Sequence, residues 1–106
     1  MARERNRAAV DLTWARRVRP IELARLRLGN VDVLHMPGEL FIEYQLAAQR
    51  LKPQSTVCMA AYGDYAPGYI GTEIAYSQGG YETSYVSRVS PQVEQVLLAA
   101  IDELLK

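Results

Sequence analysis

Two stretches of this 106-residue chain hold side chains whose types and spacing can do chemistry. The first is His35-Met36-Pro37-Gly38-Glu39, where a carboxylate follows a rigid Pro-Gly corner. Such a carboxylate can ligate a metal or act as a base. It can also do no more than meet the free N–H groups and dipole at a helix start. The second stretch, Tyr62 to Tyr76, carries four tyrosines (Tyr62, Tyr65, Tyr69 and Tyr76) and Asp64 on a loop rich in Gly and Pro. Phenols there can stiffen the loop by packing their rings and bonding their hydroxyls. Binding a metal instead requires a phenol to ionise far below its ordinary pKa of about 10. Asp64 can orient a ligand or cap the loop. His35, two residues before Pro37, can reach the same corner, although a packed or hydrogen-bonded imidazole is the commoner outcome. Cys58 lies in an apolar run and reads as a small buried hydrophobe. A single cysteine and a single histidine exclude an internal disulfide, a CxxC-type zinc site and a helical H-E-x-x-H motif.

These residues need elements to position them. The spacing of Val10, Trp14 and Val18 predicts a helix from Asn6 to about Arg19, stopped by Pro20. Ile21–Leu28 and Val31–Met36 read as two strands joined at Gly29-Asn30, a hairpin with suitable turn residues. A helix over Glu39–Leu51 follows, with Leu40, Tyr44, Ala47 and Leu51 toward the core and Glu43, Gln45 and Arg50 toward water. Thr56–Tyr62 is a near-continuous apolar run, as expected of a strand covered on both faces. A short helical turn spans Thr72–Ser77, and Gly79-Gly80 breaks it. Ser90 is placed to cap a last helix with Pro91 at its first position, its buried stripe formed by Val93, Val96/Leu97, Ala100, Ile101 and Leu104.

The fold class expected is α/β: a small mixed sheet with a strand-helix-strand crossover and flanking helices, an incomplete portion of a larger α/β domain. The crossover puts both strand carboxyl ends on one edge, outside which ligands bind in open α/β sheets. The Met36–Glu39 corner and the loop from Gly63 to Tyr76 should therefore meet in space.

Composition sets the outer bounds. With 49% hydrophobic residues, 23% charged residues and zero net charge, the chain reads as one globular domain over residues 1–106. Residues 1–20 form a basic helical arm on this reading, and 21–106 the α/β segment. No apolar stretch suits a membrane span, and no signal peptide is evident. Residues 1–27 hold eight arginines against Glu4, Asp11 and Glu22, while the remainder holds four basic residues against nine acids. A basic arm can attract nucleic acid, but no aromatic-interleaved stripe or nucleic-acid motif supports that, and none is expected to bind.

At the chemical residues the sequence resembles the neutral/alkaline non-lysosomal ceramidase family. The resemblance rests on Pro37-Gly38-Glu39, then a buried strand, then Asp64-Tyr65, Gly68-Tyr69-Ile70, Thr72, Tyr76 and Gly80-Tyr81-Glu82. It runs from about Leu28 to Leu105 and matches only the later part of the family's catalytic domain. It implies a zinc-dependent hydrolase that cleaves the amide of ceramide to sphingosine and fatty acid. Glu39 and Tyr76 match the family's zinc-binding glutamate and tyrosine, with Tyr76 also placed to stabilise an oxyanion. Asp64, Tyr65, Tyr69, Tyr81 and Tyr85 fall where the substrate approaches. The family's two zinc-binding histidines come from earlier segments, and His35 matches neither. Family members are often exported.

The resemblance thus implies a zinc site that is incomplete within this chain, and an activity that needs ligands from elsewhere. The competing expectation is a non-catalytic α/β interaction module that pairs with itself or a partner through exposed apolar surface.

Overall fold

The computed structural model describes residues 3–11, 20–62 and 68–106. The first element is a strand, β1 (Arg3–Asp11), followed by β2 (Pro20–Leu28) and β3 (Val31–His35). The helix expected from Asn6 is thereby corrected over residues 6–11, and residues 12–19 lie outside the described ones. Nine consecutive antiparallel pairs, from Arg3↔Leu28 to Asp11↔Pro20, bind β1 to β2. A ladder of that length overrides a helical spacing carried by only three residues.

The expected hairpin is present: β2 and β3 pair antiparallel, with Gly29 in the left-handed region at φ 62°. After β3 come β4 (Glu39–Leu40), α1 (Ile42–Leu51) and β5 (Thr56–Ala60). β5 pairs parallel to β3, so α1 is the crossover connection. The strand order is β1-β2-β3-β5, a mixed four-stranded sheet. Next along the chain are β6 (Tyr69–Ile70), α2 (Glu73–Gln78), α3 (Tyr81–Ser84) and α4 (Val93–Leu105). β4 and β6 form a separate parallel ladder.

The core lies between the sheet and the two long helices. Ile21, Leu23, Leu34 and Val57 from the strands meet Tyr44 and Ala48 of α1 and Val93, Leu97, Ala100, Ile101 and Leu104 of α4. The α4 stripe follows the expected spacing, with Leu97 rather than Val96 inward. The helix begins at Val93, past Ser90 and Pro91. Ser90 contributes its carbonyl, which accepts the Val93 N–H at 3.0 Å, while no side chain caps the start. On α1 the buried face is rotated from the expected one: Tyr44 and Ala48 are covered, and Leu51 is exposed.

β5 departs from expectation more sharply. Only Val57 is fully buried, while Thr56 and Cys58 are exposed. The strand is covered on one face, because both packed helices lie on the side to which Val57 points, and alternation turns its neighbours outward. Cys58 is therefore not a core residue. It should react with a maleimide or Ellman's reagent in the folded protein at close to the rate of a small-molecule thiol. Labelling only on unfolding would contradict the assigned face.

The outer edge of β5 is closed by α1. Val57 donates its N–H to Gln49 Oε1 at 2.9 Å and accepts a hydrogen bond from Gln45 Nε2 at its carbonyl. Gln49 Nε2 also donates to the carbonyls of Ser55 (2.7 Å) and Lys52 (3.2 Å). Gln45, expected in water, thus serves as half of a side-chain substitute for a neighbouring strand. Among the described residues no helix is long and apolar enough to cross a membrane.

Candidate functional site

Beyond β3 the chain leaves the sheet through Met36-Pro37-Gly38, all buried. Met36 N–H still reaches the Ala60 carbonyl at 2.9 Å, and Gly38 turns the chain at φ 63°. Glu39 then enters β4 instead of a helix. Its N–H donates to the Gly68 carbonyl at 2.9 Å, and Phe41 N–H donates to Ile70 at 3.0 Å. The expected first-turn position of Glu39 is corrected by this pairing: both amides are taken by the incoming β6, so α1 starts only at Ile42. The β4–β6 ladder also brings the Pro-Gly corner and the tyrosine loop together at the carboxyl edge of the sheet.

Glu39 sits between two phenols. Tyr62, just past β5, donates its hydroxyl to the Glu39 carboxylate. Tyr69 is the direct ladder partner of Glu39. The hydrogen bond to Glu39, and behind it the carboxylate charge, pushes the Tyr62 phenol above its ordinary value. The Glu39 charge does the same to Tyr69, helped by desolvation and by Glu82. Both phenols are therefore protonated donors at neutral pH. Tyr62 was not singled out from its neighbours in the sequence. The available signal was its place as the last residue of the apolar run, before Gly63.

Tyr76, on α2, is half-buried against the core. Its hydroxyl accepts the Gly71 N–H at 3.2 Å and lies 2.7 Å from Ser87 Oγ. Ser87 forms a bridge with Gly68, whose carbonyl holds Glu39 N–H. Glu39 and Tyr76 are thus tied to the same short ladder through Gly68 and Ser87. Gly71 is braced from the other side by Tyr44, which donates to its carbonyl at 2.8 Å. Burial pushes the Tyr44 phenol far up, so it remains a donor.

The other expected residues are distributed unevenly. Tyr81 and Tyr85, on and just after α3, are exposed and make a tilted ring contact with centroids 6.3 Å apart. Tyr81 also lies close enough to Tyr69 to raise its phenol slightly. Asp64 and Tyr65 fall outside the described residues. His35 is exposed at the end of β3.

As a metal centre the arrangement is partial. Glu39 and Tyr76 are oxygen donors, and among the described residues no group of three or more His, Cys, Asp or Glu is placed to hold a metal. Two oxygen donors alone do not make a closed four-ligand site.

A mixed sheet, a crossover corner and a tyrosine-bearing segment paired at its carboxyl edge together make one α/β arrangement. The solved structures that share it include a ceramidase complexed with C2 and the neutral ceramidase from Pseudomonas aeruginosa. Each matches with a TM-score of 0.70 and 16% sequence identity, over 80% of this chain. The match spans 14% of the length of either solved chain. At this identity the likeness is one of fold. No family model and no curated protein matches the chain.

Proposed function

We propose that this chain supplies the oxygen-ligand half of a ceramidase-like amide hydrolase centre, with Glu39 and Tyr76 as ligands and nitrogen donors coming from elsewhere. The β4–β6 ladder supports the proposal, because it pairs the Glu39 backbone with Gly68, and Ser87, the bridge partner of Gly68, bonds the Tyr76 hydroxyl, in a fold shared with ceramidases. Zinc bound there would polarise an amide carbonyl and provide a nucleophilic water near neutral pH. Glu39 gives a negatively charged oxygen. At Tyr76 the Gly71 N–H already donates to the phenolic oxygen, and Ser87 is placed to add a second donor. Either hydroxyl of the Tyr76–Ser87 pair can donate, so the phenol is placed to ligate a metal or to donate to an oxyanion. The exposed Tyr81–Tyr85 pair offers an apolar approach for a ceramide-like lipid amide, with Tyr69 between that pair and Glu39.

Imidazole in solution can stand in for the nitrogen ligands, so calorimetric zinc titration of the full chain with added imidazole tests the reading. Saturable binding at one site is expected, lost in Glu39→Gln and Tyr76→Phe. Zinc uptake that is absent, or identical in both variants, would remove the proposed centre. A fluorescent short-chain ceramide then reads out amide cleavage.

A second reading, the interaction module, is favoured by Ile42, Leu46 and Leu51, large apolar residues that α1 leaves 63%, 49% and 47% exposed. It predicts self-association or capture of a partner through these exposed side chains of α1, and a clean monomer at micromolar concentration in sedimentation argues against self-association.

A further inference from the structure

We propose that Tyr62 is the positioning residue of this site, clamping the Gly38–Glu39 corner so that the Glu39 carboxylate is held in one orientation. This deepens the half-site reading and rests on it. Tyr62 grips two consecutive residues: its N–H donates to the Gly38 carbonyl at 3.0 Å, and its hydroxyl donates to the carboxylate of Glu39. From the opposite side, the Gly68 carbonyl takes the Glu39 N–H. Backbone and side chain of Glu39 are therefore fixed by different strands' ends.

The conformation of Tyr62 points the same way. Its φ is +54°, and among the described residues it is the only non-glycine in the left-handed region. A bulky L residue adopts that region only when its surroundings impose it, and such outliers gather at functional sites. Glycine or asparagine would take the turn with less strain, yet neither carries a hydroxyl that reaches Glu39. Burial does not explain the residue either, because Tyr62 is 58% exposed. What the tyrosine adds at this position is the reach of its phenol. Partners that orient a ligating group characteristically change metal affinity by 10–100-fold when removed.

The test uses the full chain with cobalt(II) and added imidazole, following the visible absorption of the bound ion. Tyr62→Phe should weaken cobalt binding by about tenfold or more while the thermal midpoint stays unchanged. Tyr62→Gly should bind as poorly, yet melt no lower, because it relieves the backbone. A merely structural tyrosine would instead lower the midpoint and leave the absorption spectrum intact. Cobalt affinity within about twofold of the parent chain in both variants, with Glu39→Gln still abolishing binding, would overturn the positioning role and leave the half-site standing. Binding that is absent, or insensitive to Glu39→Gln, would overturn both.

Discussion

Replacing Asp32 with alanine is expected to cost about 3–5 kcal/mol, a large share of the stability of a domain this size. Asp32 is fully buried, and both carboxylate oxygens are engaged. Oδ1 accepts Arg25 Nε at 2.6 Å, while Oδ2 accepts Ser55 Oγ at 2.6 Å and faces Lys52 Nζ at 3.3 Å. Arg25 and Lys52 are buried as well. Removing the carboxylate strands two cations away from water without their counter-charge. The damage spreads, because Arg25 Nη1 also donates to the carbonyls of Leu104 (2.9 Å) and Lys106 (3.3 Å) at the end of α4. One carboxylate therefore organises β2, β3, the 52–55 turn and the last helix. Urea unfolding measures the loss, and a difference under about 1 kcal/mol would show that the network is not coupled.

The same residue fixes a pH dependence. Burial pushes the Asp32 carboxyl up, but hydrogen bonds from Ser55 and Arg25, with the charges of Arg25 and Lys52, more than offset it. The net result lies below the ordinary carboxylate range. The folded pKa is thus lower than the unfolded one, and the unfolded chain takes up the proton first. The contribution of Asp32 is present above the unfolded value of about 4 and is lost as pH falls through the folded value. Asp32→Asn should flatten that acid limb, and a limb identical to the parent's would assign it to other carboxylates.

Gly68→Ala is expected to cost about 3 kcal/mol or more and to detach the β4–β6 ladder. Gly68 has φ +85°, and a Cβ there would lie 1.9 Å from the Val86 carbonyl oxygen, a backbone atom that cannot swing aside. The strands would have to separate where Tyr69 N–H bonds Val86 (3.1 Å) and Gly68 bonds Glu39. Gly79 supplies the control: its φ is +77°, but a Cβ there meets nothing within 4 Å. Gly79→Ala should show only the backbone penalty of about 1–2 kcal/mol. Amide exchange at Glu39 and Phe41 should rise in Gly68→Ala ahead of exchange in β2 and β3. Equal protection in the two variants would mean that the close approach to Val86 relaxes freely.

Much of this arrangement was legible in the amino-acid order. Local signals held where local physics decides: Gly29-Asn30 turned the hairpin, the β3–α1–β5 crossover formed, and α4 buried its periodic stripe. The meeting of the Pro-Gly corner with the tyrosine segment followed from strand direction alone. What failed depended on distant partners. Arg3–Asp11 pairs with β2 along its whole length, which the spacing of Val10, Trp14 and Val18 could not reveal. Glu39 looked like a helix start because the strand that takes its amide lies thirty residues away. Asp32, between two valines, carries no local sign of its burial. The register sets it beside Val57 on the inner face, where buried cations that no local pattern announces await it. Beyond its place before Gly63, nothing in the sequence sets Tyr62 apart from the other loop tyrosines, because φ is not written in side-chain type.

The paired amides of Gln45 and Gln49 carry a consequence for how this layer can grow. Growth of a β-sheet sideways needs free peptide groups at its border, and here helical side chains already occupy those of Val57. A neighbouring polypeptide cannot simply zip onto that flank; it would first have to displace two glutamines. Lateral pairing is therefore hindered at the β5 border around Val57, while β1 is the edge strand on the other side of the sheet. The same barrier shields an otherwise inviting template from runaway fibrillar stacking.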